Sequence, residues 1–198
     1  MSPANTGATL MPLILLKPAV EYLPAYVDAL QRGWSPDTVR PQAAAAEEME
    51  HICRAPLQFV ESQDDPQARG SPIQLPDGTL APRLPGFRRW LWDGEFCGSL
   101  SFRWQPGTSE LPTYCPGHIG YSVVAWKQNR GYAKQALLQM LPQARLVGLQ
   151  YVDLYTEVAN VASQRVILAN GGRLIERVGH CPGHAESTVA LHFRIDLY

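Results

Sequence analysis

Apolar residues fall into two kinds of pattern along this chain: short unbroken or alternating runs, and stretches of helical period. Met11–Lys17, with Pro12 inside it and Pro18 after it, predicts a first strand. Val20, Leu23, Tyr26, Val27 and Leu30 then repeat at helical spacing up to Gly33. Trp34-Ser35-Pro36-Asp37 predicts a turn, and a second helix follows over about Thr38–Cys53, rich in Ala and Glu. Residues 62–86 change character. Pro66, Pro72, Pro76, Pro82 and Pro85, with Gly70, Gly78 and Gly86, forbid a continuous helix or a central strand. This segment reads as a loop insertion, with Asp77-Gly78 able to turn one short hairpin. Strands over Phe87–Trp92 and Glu95–Gln105 flank Asp93-Gly94, the strongest hairpin signal in the chain. After a second loop, Gly117–Trp126 predicts a strand and Gly131–Gly148 a long helix. Tyr151–Glu157 reads as a strand, and Asn160–Asn170 as a short helix ended by Gly171-Gly172. Arg173–Val178 and Thr188–Leu197 close the chain as strands.

Composition narrows the class. The chain has 198 residues, which at ~100–200 per domain predicts one domain over 1–198. Its 17 basic and 18 acidic residues leave a formal net charge of −1, which argues against nucleic-acid binding through a general cationic field. No apolar run approaches the ~20 residues of a membrane span. Met1–Leu10 is small and polar, and Leu13–Leu16 is too short for the core of a secretion signal. Cys53, Cys97, Cys115 and Cys181 show no CxxC spacing and read as reduced thiols of a cytoplasmic protein. His180-Cys181-Pro182-Gly183-His184 could converge three metal ligands. No second cluster would complete a tetrahedral site, so a polar loop with no metal is the expectation.

The chemistry concentrates between Val123 and Gly148. A strand ends near Trp126, then Gln128-Asn129-Arg130-Gly131-Tyr132-Ala133 opens an apolar helix. Gly131 and Ala133 let a ligand approach the backbone. The first helical turn offers unpaired N–H groups and a positive dipole end, and Arg130 and Lys134 add charge at the rim. Together these suit a pyrophosphate. The segment is not a Walker loop, because no Gly-Lys-Ser/Thr follows, and it lacks the Gly-x-Gly-x-x-Gly dinucleotide spacing. In the helix, Ala133, Ala136, Leu137, Met140, Leu141, Ala144 and Val147 fall near a 3.6 period, with Pro142 expected to kink it. Asn160 is a good N-cap, with Ser163 in its first turn.

The stretch GHIGYSVVAWKQNRGYAKQALLQML, followed by YVDLYTEVANVASQRVILANGGRLIERV, resembles the GNAT (Gcn5-related) N-acetyltransferase family. Gln128-x-x-Gly131-x-Ala133 matches that family's acetyl-CoA motif, and Asn160…Ser163…Asn170-Gly171-Gly172 its downstream Asn…Asn-Gly segment. The close match covers about residues 117–178, and the order of elements covers nearly the whole chain. The resemblance implies an α/β fold. Its mostly antiparallel sheet of about six or seven strands, flanked by about four helices, would splay between the fourth and fifth strands. It implies acetyl-CoA as cosubstrate and an amine acceptor, either a small molecule or a protein N-terminus. It implies no metal, nucleic acid or membrane partner, and it leaves a homodimer open. The pyrophosphate would sit on the N–H groups of Arg130 to Lys134. The pantetheine arm would pair with the backbone of Val123 and Val124, and Asn160 would also touch that arm.

Acetyl transfer needs a neutral amine, a polarised thioester carbonyl and a proton for the departing thiolate. The resemblance points to a backbone N–H near Val124 for the carbonyl oxygen. Glu157, at the end of its strand, and His118, on the preceding one, are the candidate bases. Tyr121 and Tyr155 are hydroxyl candidates, and Trp34, Trp90, Trp92 and Trp104 are candidates for an acceptor pocket or for the core. One departure stands out. Many family members carry a Tyr seven residues after the Asn as general acid, and here that position is Ile167. This motivates an alternative, an acyl-CoA-binding or regulatory module with little catalysis.

Overall fold

The structure is a computed structural model and describes residues 12–75, 77–179 and 189–198. The His180–His184 loop, Met1–Leu10, Met11 and the Thr188 start of the last strand lie outside the described residues. The chain runs β1 (Ile14–Leu16), α1 (Leu23–Gln31), α2 (Pro41–Arg54), α3 (Pro56–Ser62), β2 (Asp64–Asp65), β3 (Ile73–Gln74) and β4 (Leu80–Ala81). It continues with β5 (Gly86–Trp92), β6 (Phe96–Arg103), β7 (Ile119–Val123), α4 (Tyr132–Leu146), β8 (Tyr151–Glu157), α5 (Val161–Leu168), β9 (Arg173–Val178) and β10 (Ala190–Asp196). Two larger sheets result. One has the order β1-β5-β6-β7, with β2 on the end of β5, and the other has β8-β10-β9. Every pairing is antiparallel.

Strand alternation divides the core into two layers. Leu91, Leu100, Phe102 and Ile119 face α4, where they meet Ala136, Leu137, Met140 and Ala144. Val152, Leu154, Phe193 and Ile195 of the second sheet join the same cluster. On the opposite face of the first sheet, Trp90 and Phe96 pack with Tyr26, Trp34 and Phe59 from the segment 23–62. Tyr26 stacks on Trp90 at 4.6 Å and meets Trp34 and Phe96 edge-on. Trp34, Trp90 and Trp104 are thus core residues.

Several boundaries differ from expectation, each for a local reason. The first helix begins with a single 3₁₀ turn at Val20–Tyr22. The second starts at Pro41 rather than Thr38, because a proline disfavours helical backbone at the residue before it. Asp37 instead folds 37–40 into a turn by accepting the N–H groups of Val39 and Arg40. A further helix, α3, follows at once with Pro56 in its first turn, a position that needs no N–H. The expected hairpin at Asp77-Gly78 is present as the β3–β4 pair. Pro142 lies inside α4 without ending it.

Candidate functional site

β7 and β8 are neighbours at one end only. His118 donates its backbone N–H to the Asp153 carbonyl at 2.8 Å, and Asp153 N–H returns to His118 Nδ1 at 2.9 Å. Gly117 makes the approach possible. Its φ is +94°, and a Cβ there would lie 2.8 Å from the Asp153 oxygen. Beyond this joint the strands belong to different sheets and diverge. Among the described residues, the break falls between the fourth and fifth of the seven strands that are three or more residues long. The opening is a cleft of about 630 Å³, bounded by β7, β8 and the starts of α4 and α5.

The loop between β7 and α4 sets the floor of one end. Asn129 and Gly131 both have positive φ, +61° and +78°, so the chain reverses twice before the helix starts. Gly131 is the N-cap, with no side-chain bond to the helix. The N–H groups of Tyr132, Ala133 and Lys134 therefore face outward with no helical acceptor. With the helix dipole they form an anion site. Ala133 is half-buried, and Lys134 is exposed at the rim.

The loop is held from below by a buried ion pair that the sequence did not reveal. Lys127 is buried and donates to Asp93 Oδ1 at 2.7 Å and to Glu95 Oε2 at 2.9 Å. The Tyr132 hydroxyl donates to the other Asp93 oxygen. Burial pushes the Asp93 carboxyl up, but Lys127 and Tyr132 outweigh it and hold it at about 2. The β5–β6 turn residue thereby anchors both ends of the anion loop. A second tie is Trp34, whose indole N–H donates to Ser122 Oγ at 3.0 Å, while Ser122 donates to the Ser35 carbonyl.

The cleft brings together Val123 from β7, Gln128, Asn129, Gly131, Tyr132, Ala133 and Lys134 from the loop and α4, and Glu157, Asn160 and Ser163 opposite. Asn160 caps α5, its Oδ1 accepting Ser163 N–H at 3.0 Å. Gln128 Nε2 donates to the Val123 carbonyl at 3.3 Å. Tyr121 spans the cleft, its hydroxyl 2.9 Å from Ser163 Oγ, and burial pushes its phenol up to about 12. Glu157 is exposed at the end of β8.

Two expected residues, Val124 and His118, sit differently. Val124 is fully buried and donates its N–H to the Cys97 carbonyl at 3.0 Å, so that N–H is not offered to a ligand. Antiparallel alternation turns the backbone of Tyr121 and Val123 toward the cleft instead. Tyr132 contributes its backbone only, since its side chain is engaged with Asp93. Arg130 is exposed and donates to the Trp126 carbonyl at 3.4 Å. His118 is fully buried, and burial lowers its ring to about 4. Its Nδ1 already accepts the Asp153 N–H, so it has no lone pair left to take a proton from a substrate. Ile167, at the position of the family's tyrosine, is 1% exposed and joins the core. None of the four candidate tryptophans lines the cleft.

A family model described as an acetyltransferase (GNAT) domain matches residues 37–173. No curated protein matches the chain. Solved structures share the fold. The microcin C7 self-immunity acetyltransferase MccE, in complex with acetyl-CoA and AMP, is 14% identical with a TM-score of 0.61, covering 93% of this chain and 92% of its own. RimL, a ribosomal L7/L12 alpha-N-protein acetyltransferase in complex with coenzyme A, is 16% identical with a TM-score of 0.61, covering 96% and 95%. A GNAT-family acetyltransferase from Bacillus anthracis is 13% identical with a TM-score of 0.58, covering 96% and 97%. The family model spans well over half of the chain, and the divergent sheets and left-handed loop give it a physical counterpart: this chain belongs to the GNAT acetyltransferase family.

Proposed function

We propose that this chain is a single-domain acetyltransferase that carries an acetyl group from acetyl-CoA to a primary amine, on a small molecule or a protein N-terminus, by direct attack. The observation that carries the reading is the cleft between β7 and β8, which ends on the exposed N–H groups of α4. Acetyl-CoA supplies an activated acyl carbon and a thiolate leaving group. Tyr132, Ala133 and Lys134 N–H groups bind its pyrophosphate, with Lys134 as counter-charge. The outward backbone of Tyr121 and Val123 pairs with the pantetheine arm and polarises the thioester carbonyl. Glu157 takes the proton that the attacking amine sheds. With Ile167 in the usual place of the acid, the Tyr121 hydroxyl or water returns a proton to the thiolate. Two of the similar structures carry acetyl-CoA or coenzyme A, which supports the cofactor assignment.

Ile167 also favours a second reading, an acyl-CoA-binding module with little turnover. One experiment separates them. Acetyl-CoA binding is measured by calorimetry, and thiol release is then followed with a panel of amines. Binding with amine-dependent thiol release supports the enzyme, whereas binding alone supports the module. No binding at all removes both.

A further inference from the structure

A second cavity of about 700 Å³ adjoins the cleft on the side of α2. The two share Thr38, Ile119, Gly120, Tyr121 and Tyr155 in their walls, so they meet along β7 where the splay opens. Its floor is a row of three residues in register across β5, β6 and β7: Arg88, Ser101 and Gly120. Ser101 and Gly120 are small, and this gives the cavity its depth.

The charges on the wall are unevenly matched. Its carboxylates are all engaged. Glu48 takes the Arg88 guanidinium at 2.7 Å and the Tyr26 hydroxyl. Asp65 accepts the N–H groups of Arg69 and Gly70 at 2.8 and 2.9 Å. Asp37 accepts those of Val39 and Arg40. Among the cations, Arg88 is neutralised by Glu48, Arg40 pairs with Glu47 at 3.2 Å, and Arg83 donates to the Ser71 carbonyl at 3.0 Å. Arg103 differs from these. It forms no ion pair among the described residues, and its Nε is buried without a hydrogen-bond partner. Its Nη2 lies 3.7 Å from the position that a Cβ on Gly120 would take, so the guanidinium hangs over the cavity floor. The neighbouring group is the Cys115 thiol, a weak partner for a cation.

We propose that this cavity takes an amine acceptor bearing its own anionic group, a carboxylate or a phosphate, which Arg103 binds through its planar fork. The proposal rests on the adjoining cleft being the acetyl-CoA site, and it deepens that reading by naming the acceptor class. A buried guanidinium edge with no partner is costly, and a carboxylate or phosphate satisfies two of its N–H groups at once. A polyamine would meet carboxylates that are already engaged. The amine of an anionic acceptor reaches toward Gly120 and Tyr121, where the two cavities join.

Matched acceptors test this: β-alanine against β-alaninamide for the carboxylate, and phosphoethanolamine against ethanolamine for the phosphate, compared per free amine. A tripeptide amide with no acidic side chain stands for a protein N-terminus. In the wild type, the anionic member of at least one pair should show a KM at least tenfold below its neutral partner. Arg103→Met should raise that KM at least tenfold, leaving kcat/KM for the neutral partner and acetyl-CoA affinity unchanged. Arg103→Lys, which keeps the charge and loses the fork, should recover part of the loss and guards against misfolding of the Met variant. Binding of the preferred anion to the CoA-saturated protein, by calorimetry, should weaken in parallel. Equal use of both members of each pair, or best use of the neutral tripeptide, would overturn the proposal while leaving the acetyltransferase reading intact. Absence of acetyl-CoA binding to the wild type would instead overturn that reading, and this one with it.

Discussion

Gly131 joins two requirements in one residue: a left-handed backbone that turns the chain into α4, and no side chain beside the N–H groups that follow. A Cβ there would meet only Gln135 Nε2, at 3.9 Å, so backbone conformation and charge are what a substitution tests. Gly131→Glu sets a carboxylate against the incoming pyrophosphate. Acetyl-CoA affinity should fall at least tenfold, about 1.4 kcal/mol, by calorimetry. Gly131→Asn is the control, because Asn tolerates positive φ and should retain binding. Normal binding by a folded Gly131→Glu protein would remove the anion site from the cofactor assignment. Glu157 is tested by its pH–rate profile. Glu157→Gln keeps the shape and removes the base, so kcat/KM at neutral pH should drop about 10²-fold with acetyl-CoA affinity held. The deficit should shrink at high pH, where the amine is already neutral. Identical profiles would exclude Glu157 as the base. Residues of this kind were legible in the sequence because their signals are local: a glycine at a helix start, an Asn three residues before Ser163. Val124 was misread for the opposite reason. Which way its N–H points depends on a partner strand, and Cys97 claims it.

At the scale of elements, the question is what keeps the anion loop in place, and the Asp93–Lys127–Tyr132 group is the answer. The β5–β6 turn was foreseen from Asp93-Gly94, but its second role was not, because a lysine in sequence reads as surface. Here Lys127 is 4% exposed, and it depends on the hairpin turn folded against it. Asp93→Ala leaves that ammonium without its buried partner, and a loss of about 3–5 kcal/mol is expected by denaturant unfolding. The pair also predicts a pH dependence. Asp93 is depressed from 3.8 to about 2 in the folded chain. Its contribution is therefore complete above pH 3.8 and fades as pH falls toward 2, for a total of about 2 kcal/mol. Asp93→Asn should abolish that acid-limb component, and an unchanged limb would assign it to other carboxylates. The α3 helix was missed on similar grounds. A helix of seven residues shows little period in sequence, and Phe59 and Val60 recruit it into the core.

At the scale of the whole molecule, the two larger sheets join at His118. The resemblance implied the splay, but it gave no hint of what holds the closed end. The order of elements along the chain follows from periodicity, which is a property of short windows, and the fold class was what the resemblance implied. The joint follows from contacts across 35 residues of chain and from Gly117, whose positive φ no window predicts. At neutral pH His118 is an uncharged ring accepting the Asp153 N–H through Nδ1. A protonated ring would lose that lone pair and turn a second donor on the same N–H. Burial lowers the folded ring from 6.5 to about 4, so between these values the unfolded chain binds a proton that the folded chain does not. Stability is then complete above pH 6.5 and declines by about 1.4 kcal/mol per pH unit down to about 4, roughly 3 kcal/mol in all. The partners facing the ring do not reverse the sign. Asp153 raises it, Arg103 and Arg194 lower it, and burial dominates. His118→Gln keeps an acceptor and cannot titrate. It should be less stable than the wild type at pH 7, because the ring's packing is lost, yet its stability should change with pH less steeply between 6.5 and 4 by one proton's worth. Urea unfolding across that range measures both slopes. Parallel slopes would mean that His118 titrates normally in the folded protein and that the joint is not the acid-sensitive part of the fold.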